Sequence, residues 1–438
     1  MPPRFGSLAR RALSRPVRGF EQNGLVVSSR SPFRGARRCN HQYSLAINNG
    51  QIGFTWPKHT AEPVRLPSLW LRDNCRCKQC VNQDTKQRNF DTFQIPTALK
   101  AQQVARTESG FEVTWSDSHV SKHEWQWLEH ETRPEKRDQT FAIGSGSWVD
   151  PELWGSEVAS SPPSVLFNDV MDSQNSDGMA QLTTNIRKWG FCFVEQTPVT
   201  PDDTQRVLEK IGPIRETHYG GFYDFVPDMA KADTAYTTLA LPAHTDTTYF
   251  TEPARLQAFH MLSHVGTGGA EPAGGKSLLV DGLKVAEQVR AESPHKFSAL
   301  AKLKIPWHAS GNEGIAIAPD SPLPVFEVLE NDRILRVRWN NDDRGIVPLD
   351  KDVSPEEWYE AARRWNELLK SRENEYWVNL KPGSLLIFDN WRVLHGRSEF
   401  TGMRRMCGGY ISHDDFMSRW KTSNFALEDV IGHNLHSS

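Results

Sequence analysis

The 438-residue sequence contains no apolar stretch of about 20 residues, which is the length that a membrane-spanning helix requires. It also has no excess of basic residues, because its formal net charge is -3, and this argues against general binding to nucleic acid. The N-terminus lacks the apolar core of a secretory signal. These absences predict a protein without a secretory signal that acts neither in a membrane nor on nucleic acid.

Acidic residues are almost missing from residues 1–38, where Glu21 is the one acid. Arginines and serines recur through this segment, a composition typical of mitochondrial transit peptides. A basic, disordered tail of a cytoplasmic protein is the alternative. We therefore set residues 1–40 apart from the folded chain as a targeting or disordered segment. We expect a location in the mitochondrial matrix, with the cytoplasm as the alternative.

Cysteine is scarce, with six in the chain, yet Cys75, Cys77 and Cys80 lie within six residues of one another. Disulfides are a poor explanation, because cysteines this close pair badly and would leave an odd thiol. Three thiolates need one more nitrogen or sulfur ligand to hold zinc in a tetrahedral site. Nearby histidines could supply it: His119, with His123 and His130 as alternatives. Such a closed site would be structural, whereas three reduced thiols without metal are the other interpretation.

Two folded domains are expected from the length and from an ordinary composition with 38% hydrophobic and 24% charged residues. Short strand-like runs around the cysteines predict a small, β-rich, zinc-binding domain over residues 41–150. After a connection rich in Gly, Ser and Pro, many short strands with a few helices follow. They favour a mainly β jelly roll (a double-stranded β-helix) with supporting helices over residues 165–425.

Several elements of this second domain have recognisable ends. Helices are predicted over 177–189 and 201–211, and a third begins at Ser354 as N-cap, with Pro355 and acidic residues behind it, and continues to Lys370. The run 190–194 is predicted to be a buried strand, and the run 336–340 to be another strand.

The chemistry of the second domain centres on His244 and Asp246. In a strand, residues i and i+2 project to the same side, so these two side chains can enter one pocket. A His-x-Asp pair is weak evidence alone, but His395 follows a strand-like apolar run about 150 residues later. Two histidines and one carboxylate form a face suited to Fe(II) that leaves positions open for a co-substrate and dioxygen. Arg404 follows, and its guanidinium can bind a carboxylate through two parallel hydrogen bonds.

Tyrosines flank these predicted metal ligands along the chain. Packing in the core is one explanation for them. The alternative is an aromatic box, which suits a quaternary ammonium because that cation donates no hydrogen bond and is held by cation–π attraction. The tyrosines concerned are Tyr219, Tyr223, Tyr236 and Tyr410.

Several motifs of the sequence resemble those of the γ-butyrobetaine/trimethyllysine dioxygenase family of Fe(II)/2-oxoglutarate oxygenases. The similarity extends from about Leu66 to Trp420 and includes Trp70-Leu-Arg-Asp-Asn-Cys75-Arg-Cys77, which marks the zinc-binding N-terminal domain of this family. The other motifs are Asp233-Thr-Ala-Tyr-Thr, His244-Thr-Asp-Thr-Thr-Tyr-Phe, Leu278-Leu-Val-Asp-Gly282, Asn340-Asn-Asp-Asp-Arg344 and Asp389-Asn-Trp-Arg-Val-Leu-His-Gly-Arg397.

The resemblance implies an Fe(II) ion, a structural zinc ion and 2-oxoglutarate as co-substrate, whose far carboxylate would be bound by Arg404. The iron ligands that it implies are His244, Asp246 and His395. The zinc ligands that it implies are Cys75, Cys77, Cys80 and His119. Ascorbate, which keeps the iron of this family reduced, and dioxygen complete the small molecules expected, and the expected assembly is a homodimer.

The resemblance also implies a reaction, the hydroxylation of N6,N6,N6-trimethyllysine at carbon 3, which is the first step of carnitine biosynthesis. The pocket for the trimethylammonium group would be formed by the four tyrosines, although relatives often carry Trp at the position of Tyr223. Asn340 matches a residue that binds the substrate carboxylate.

The α-ammonium group decides between the two substrates of this family, because γ-butyrobetaine lacks it. A buried ammonium needs a nearby acid, and Asp233 lies three residues before Tyr236 in the sequence. We therefore expect trimethyllysine, with γ-butyrobetaine as the alternative substrate. A non-enzymatic, zinc-containing interaction protein is the alternative of a different class, and loss of a metal ligand would favour it, whereas none is lost here.

Overall fold

A computed structural model describes residues 44–55, 64–132, 149–225, 238–266, 268, 271–311, 313–427 and 430, apart from the side chains of Gln126 and His130. The predicted targeting segment, residues 1–40, lies outside these ranges, as do Asp233 and Tyr236. None of the helices in the described ranges is both long and apolar enough to cross a bilayer.

The first part of the chain forms two small antiparallel sheets around one hydrophobic core. Its strands are β1 (Ser44–Asn48), β2 (Gln51–Thr55), β3 (Val64–Leu66), β4 (Ala101–Arg106), β5 (Gly110–Trp115) and β6 (Val120–Glu124). The sheets have the orders β1-β2-β3 and β4-β5-β6. Alternate residues of β5, namely Phe111, Val113 and Trp115, are buried in the core because successive side chains of a strand face opposite ways. This confirms the predicted β-rich region. Two helices accompany it, α1 (Ser68–Asp73) and α2 (Trp125–Thr132).

The second part of the chain contains two larger sheets. Its strands are β7 (Ser164–Leu166), β8 (Phe191–Glu195), β9 (Tyr223–Phe225), β10 (Leu241–His244), β11 (Leu256–Val265), β12 (Ser277–Asp281), β13 (Phe326–Val328), β14 (Ile334–Val337), β15 (Tyr376–Val378), β16 (Ser384–Asp389), β17 (Val393–Arg397) and β18 (Met403–Ile411). Within the described residues, one sheet has the order β7-β8-β16-β11-β18-β9 and the other has the order β10-β17-β12-β15.

A shared aromatic and aliphatic core joins these two sheets. Phe193, Phe388 and Met261 of the larger sheet lie in one buried cluster with Leu279 and Val393 of the smaller sheet. The two sheets therefore face each other. Every neighbouring pair within the smaller sheet is antiparallel, as are all pairs of the larger sheet except β7 with β8.

Helices cover the outer sides of this pair of sheets. They are α3 (Phe167–Met171), α4 (Asp177–Trp189), α5 (Pro201–Ile211), α6 (Gly282–Glu292), α7 (Pro294–Lys302), α8 (Pro355–Leu369) and α9 (His413–Asn424). Buried residues of α4, α5 and α9 share a core with β8, β11 and β16. Buried residues of α6, α7 and α8 share another core with strands of the smaller sheet. Short 3-10 helices occur at Thr92–Gln94 and Ser156–Ser160.

The predicted ends of the helices are confirmed by their capping interactions. Ser354 caps α8, since its side chain accepts from the backbone of Glu357, whose own carboxylate accepts from the backbone N–H of Ser354. Helix α4 ends at Gly190, which has φ = 81° in the left-handed region that glycine adopts without strain. The buried strand predicted at 190–194 is observed as β8.

One predicted strand is wrong in its extent. The run 336–340 was expected to be a strand, but β14 ends at Val337, so Asn340 lies outside it. Beyond Arg338 the backbone bonds Thr245 instead, because the N–H of Trp339 donates to Thr245 Oγ1 and the Trp339 carbonyl accepts from the Thr245 N–H. Asn340 consequently stands at the start of a turn that can face a cavity.

Candidate active site

Two histidines face each other across the first two strands of the smaller sheet. His244 ends β10 and is the register partner of His395 in β17. The Oδ1 atom of Asp246 lies 3.2 Å from His244 Nε2 and 3.8 Å from His395 Nε2. The three atoms lie within 4.8 Å of one another. The structure therefore brings together the three residues that were predicted to bind iron.

The reason expected for this arrangement is wrong, because Asp246 is not in a strand. Strand β10 ends at His244, and Thr247 has φ = 56°, so the chain turns away directly after the aspartate. Asn390 holds the turn in place. Its Oδ1 accepts from the backbone N–H of Asp246 at 2.8 Å, and its Nδ2 donates to the carbonyls of Asp246 and Ala254.

Hydrogen bonds fix which atoms of the three side chains remain available. The Oδ2 atom of Asp246 accepts from Gln257 Nε2 at 2.6 Å and from the Tyr410 hydroxyl at 2.9 Å, so Oδ1 is left to face the histidines. His244 Nδ1 lies 2.8 Å from the carbonyl of Pro242, which can only accept, so this nitrogen carries the proton. In the neutral form of His244, Nε2 therefore presents a lone pair, as a metal ligand must.

The charges of the group suit a divalent cation. Burial raises the pKa of Asp246, but the imidazoles of His395 and His244 outweigh it and hold that pKa well below its usual value. Burial, with a contribution from His244, lowers the pKa of His395 to about 3, so its ring is neutral at physiological pH. Burial lowers the pKa of His244, but the hydrogen bond and the charge of Asp246 outweigh it and raise that pKa, so a metal ion would take the place of a proton between these two groups. One carboxylate and two imidazole nitrogens are the donor set of a facial Fe(II) site.

A cavity opens onto the three side chains, and Arg404 of β18 lies in its wall. This guanidinium is almost fully buried, and its Nε has no hydrogen-bond partner among the described residues. Burial, with a contribution from Arg397, lowers the pKa of Arg404 to about 10, so it remains charged. Its Nη2 donates to Met406 Sδ at 3.4 Å, which is a weak acceptor, so a carboxylate from a ligand would complete the hydrogen bonds of this buried charge.

Tyr219, Tyr223 and Tyr410 line the same cavity, as predicted, and so does Tyr249. The rings of Tyr223 and Tyr410 lie 5.9 Å apart in an edge-to-face arrangement. Gly408 of β18 makes room for this pair, because a Cβ built there would come within 2.9 Å of the Tyr223 ring. Tyr223 keeps its hydroxyl satisfied by donating to the carbonyl of Ala258 at 2.6 Å.

A separate cluster joins the three neighbouring cysteines to His119. His119 Nε2 lies 3.3 Å from Cys75 Sγ, 3.8 Å from Cys77 Sγ and 3.5 Å from Cys80 Sγ. The four ligand atoms lie within 4.8 Å of one another. A hydrogen bond with Cys80 holds the pKa of Cys75 at about 4 against the effect of burial, and the same bond raises the pKa of Cys80. A cation in place of the shared proton would stabilise all the thiolates, so the donor set fits zinc.

The choice among the predicted histidines follows from their partners. His123 is buried elsewhere, with its Nε2 2.9 Å from Ser121 Oγ and its ring stacked on Trp127. The side chain of His130 lies outside the described part of the structure. His119 is placed by Asp117, which accepts from its backbone N–H and forms an ion pair with Arg72. Arg72 also donates to Cys80 Sγ at 3.3 Å, which favours a charged thiolate.

Comparison with known proteins identifies the family. The family described as Taurine catabolism dioxygenase TauD, TfdA family matches residues 151–410, and the one described as Gamma-butyrobetaine hydroxylase-like, N-terminal, matches residues 45–129. A trimethyllysine dioxygenase from Neurospora crassa is 51% identical over 439 residues, covering 92% of this chain and 90% of that protein. The chain belongs to the trimethyllysine dioxygenase family.

Two other relatives show how the similarity decreases. A mitochondrial trimethyllysine dioxygenase from Mus musculus is 35% identical, covering 92% of this chain and 94% of that protein. A gamma-butyrobetaine dioxygenase from Pongo abelii is 25% identical, covering 89% of this chain and 99% of that protein. The chain is therefore more similar to these two trimethyllysine dioxygenases than to this gamma-butyrobetaine dioxygenase.

In this member of the trimethyllysine dioxygenase family, several residues of the site were not found from the sequence. Gln257 and Asn390 orient Asp246, and Asp343 lines the cavity beside Asn340. No spacing rule identifies Gln257, because its side chain reaches Asp246 from β11 in the facing sheet. Asn390 belongs to the Asp-Asn-Trp run that precedes His395 and was therefore visible as part of a motif, although its role was not.

Proposed function

We propose that the protein is an Fe(II)- and 2-oxoglutarate-dependent dioxygenase that hydroxylates trimethyllysine at carbon 3, the first step of carnitine biosynthesis. The observation that carries this proposal is the convergence of His244 Nε2, Asp246 Oδ1 and His395 Nε2 at a cavity that is also lined by the buried Arg404, whose Nε has no hydrogen-bond partner among the described residues. Membership of the trimethyllysine dioxygenase family supports the choice of substrate.

The proposed mechanism assigns positioning to the residues of the chain. Bound Fe(II), with 2-oxoglutarate and dioxygen, supplies the oxidising power that converts a C–H bond into a C–OH bond, while 2-oxoglutarate becomes succinate and carbon dioxide. His244, Asp246 and His395 hold the metal on one face. The carboxylate oxygen of Asp246 that faces away is engaged by Gln257 and Tyr410, which leaves one oxygen for the metal.

The remaining residues place the two organic molecules. Arg404 binds the distal carboxylate of 2-oxoglutarate through charge-assisted hydrogen bonds. The aromatic faces of Tyr219, Tyr223 and Tyr410 attract the trimethylammonium group, and burial strengthens cation–π attraction. Tyr236, which lies outside the described residues, is proposed to complete this box. Asn340 binds the carboxylate of the substrate. Holding both ends of a flexible chain directs one C–H bond towards the metal.

The finer assignments are part of the same proposal. The two facing sheets form a double-stranded β-helix in a catalytic domain of residues 165–425. Cys75, Cys77, Cys80 and His119 bind a structural zinc ion in an N-terminal domain of residues 41–150. Ascorbate keeps the iron reduced, residues 1–40 direct the protein to the mitochondrial matrix, and the assembly is a homodimer, which light scattering would measure.

Turnover with a panel of trimethylated amines tests the proposed function. The purified protein, with Fe(II), 2-oxoglutarate and ascorbate, should form succinate and a hydroxylated product with trimethyllysine faster than with γ-butyrobetaine. Lysine, which lacks the quaternary ammonium, is the matched control. A preference for γ-butyrobetaine would change the substrate and leave the iron chemistry in place. Zinc without iron, together with no turnover of any amine, would favour the interaction protein.

A further inference from the structure

The turn that begins at Asn340 brings an amide and a carboxylate to the same wall of the cavity. Asn340 and Asp343 both line it, and the side chain of Asn340 hydrogen-bonds the carboxyl group of Asp343. The hydroxyl of the fully buried Thr248 donates to Asp343 Oδ2 at 2.6 Å. Thr248 lies two residues after Asp246, so Asp343 is fastened to the segment that carries the metal site. A carboxylate accepts about four hydrogen bonds, so capacity remains for a ligand.

The backbone of the same turn is anchored on its other side. The N–H of His308 donates to the carbonyl of Asp343 at 2.9 Å, and the backbones of Arg344 and Trp307 form an antiparallel β-bridge. Asp343 is therefore held from two sides, which lowers the entropy cost of using its carboxylate to bind a ligand.

The charge of Asp343 lacks a permanent cationic partner. In the described ranges, neither a lysine nor an arginine forms an ion pair with it, and the ionisable groups that act on it are Asp246 and His244. Burial, with a contribution from the charge of Asp246, raises the pKa of Asp343 to about 6. The group is thus predominantly anionic at neutral pH in a half-buried position, and a cation from a ligand would stabilise it.

We propose that Asp343 binds the α-ammonium group of the substrate, beside Asn340, which binds the α-carboxylate. This inference rests on the proposed function and names the group that distinguishes trimethyllysine from betaines without an amine. The two charged groups are bonded to one carbon, so their receptors have to be neighbours, as Asn340 and Asp343 are. Carbon 3 is bonded to that same carbon, so the receptors must also lie next to the metal ligands.

This assignment differs from the one made on the sequence, which gave the ammonium to Asp233. Asp233 lies outside the described residues, whereas Asp343 meets both geometric requirements within them. The two acids therefore make different predictions. If Asp343 is the receptor, removing its charge abolishes recognition of the amine whether or not Asp233 is present.

The test compares trimethyllysine with its desamino analogue, 6-(trimethylammonio)hexanoate, which has the same length and trimethylammonium group but no amine. Affinities of both molecules are measured by calorimetry without oxygen, in the presence of Fe(II) and 2-oxoglutarate. We expect the wild type to prefer trimethyllysine, and Asp343→Asn to weaken its binding about tenfold or more, because a buried ammonium loses its partner. Affinity for the analogue should change less than about twofold.

Three variants complete the design. Asp342→Asn removes the same charge from the exposed neighbouring residue, which also lines the cavity, and should leave the ratio of the two affinities unchanged. A preference lost in Asp342→Asn and kept in Asp343→Asn would overturn the assignment to Asp343. Asp343→Glu keeps the charge and should retain part of the preference. Asp233→Asn tests the competing acid directly. Thermal unfolding of each variant checks that the fold is intact.

The possible results separate this inference from the proposed function. Equal weakening of both molecules in Asp343→Asn, or a lost preference in Asp233→Asn with Asp343→Asn unchanged, would overturn the inference. A wild type that binds both molecules equally would overturn it as well. Turnover is measured separately, so a protein that hydroxylates trimethyllysine but keeps its preference in Asp343→Asn refutes only the role of Asp343. A protein that shows no turnover refutes the proposed function.

Discussion

The two clusters of side chains proposed to bind metal ions differ in how completely they surround their centre. Cys75, Cys77 and Cys80 with His119 offer four ligand atoms, all within 4.8 Å of one another. His244, Asp246 and His395 offer three, and a cavity opens on the remaining side. A tetrahedral ion is saturated by the first set, whereas the second leaves coordination positions for ligands. The number of ligands is thus what distinguishes the structural role proposed for the cysteine cluster from the chemical role proposed for the His-Asp-His cluster.

The clusters also differ in how the chain assembles them. His119 is 44 residues from Cys75, and these ligands lie beside one small core. Asp246 is held by Asn390, which is 144 residues away. The cysteine cluster needs only its own end of the chain, whereas the His-Asp-His cluster requires the two facing sheets to be complete.

The largest effect is expected at the His-Asp-His cluster. His244→Ala, Asp246→Ala and His395→Ala should each abolish succinate formation, because a face of three ligands has no spare member. Each variant should stay folded, since the three side chains line the cavity, although His395→Ala should lower the melting temperature somewhat because this ring packs on Phe259 and Phe388. His295→Ala, which alters an exposed histidine paired with Glu357, serves as the control. Near-native turnover in any of the three variants would remove that residue from the metal site.

Changes in the cysteine cluster should have the opposite result, because they should lower the stability of the protein rather than its turnover. Cys77→Ser is expected to lower the zinc content and the melting temperature, because zinc binding contributes about 10 kcal/mol or more to the folding of small zinc domains. The turnover of the protein that remains folded should be close to normal. Cys192→Ser is the control. It changes a buried thiol in the core between the larger sheet and its helices and should leave the zinc content unchanged. If elemental analysis of iron-free protein finds no zinc, the four-ligand assignment is wrong.

The next effect concerns the binding of 2-oxoglutarate in the cavity beside the His-Asp-His cluster. Arg404→Met should raise the 2-oxoglutarate concentration needed for half-maximal turnover by roughly 10- to 150-fold, which corresponds to about 1.5–3 kcal/mol for charge-assisted hydrogen bonds. The requirement for trimethyllysine should change much less. Arg405→Met is the matched control, because Arg405 is adjacent in β18 but exposed and paired with Asp224. An unchanged dependence on 2-oxoglutarate in Arg404→Met would move the role to Arg397 or Arg405.

The smallest effect distinguishes two roles of one tyrosine. Tyr410→Phe keeps the ring in the cavity but removes the hydrogen bond to Asp246 Oδ2. We expect the affinity for Fe(II) or Co(II) to fall about tenfold, as is typical when a partner of a metal ligand is lost. Binding of trimethyllysine should be almost unaffected, because cation–π attraction depends on the ring. Tyr223→Phe, whose hydroxyl binds a backbone carbonyl instead, should leave the metal affinity unchanged.

Some of this arrangement could be predicted from the sequence because local chemistry determines it. Ser354, Pro355 and Glu357 carry the signals of a helix start without reference to the rest of the fold. The three cysteines are close in the sequence and are therefore close in space. The chemical types of His244, Asp246 and His395 pointed to a common site, although pairing of two histidines across β10 and β17 could not be derived from spacing alone.

Other parts depend on long-range contacts that a sequence pattern does not contain. The alternation rule placed Asp246 in a strand, but Asn390 and the left-handed Thr247 hold it in a turn instead. Asn340 was expected in a strand, but the strand ends at Val337 and the backbone of Trp339 bonds the distant Thr245 instead. In both cases, hydrogen bonds with a distant segment prevail over local strand propensity.

The link between Asn390 and Asp246 has a consequence for how the protein folds. Closing a loop of this length is slow compared with forming local contacts, so the site should be among the last parts to form. A slip of one residue between β10 and β17 would turn His244 or His395 to the opposite face and leave no place for an ion. An ion that binds only the correctly paired chain shifts the population towards it. Iron added during refolding should therefore increase the yield of chains with the right register, and metal content would report on the quality of each preparation.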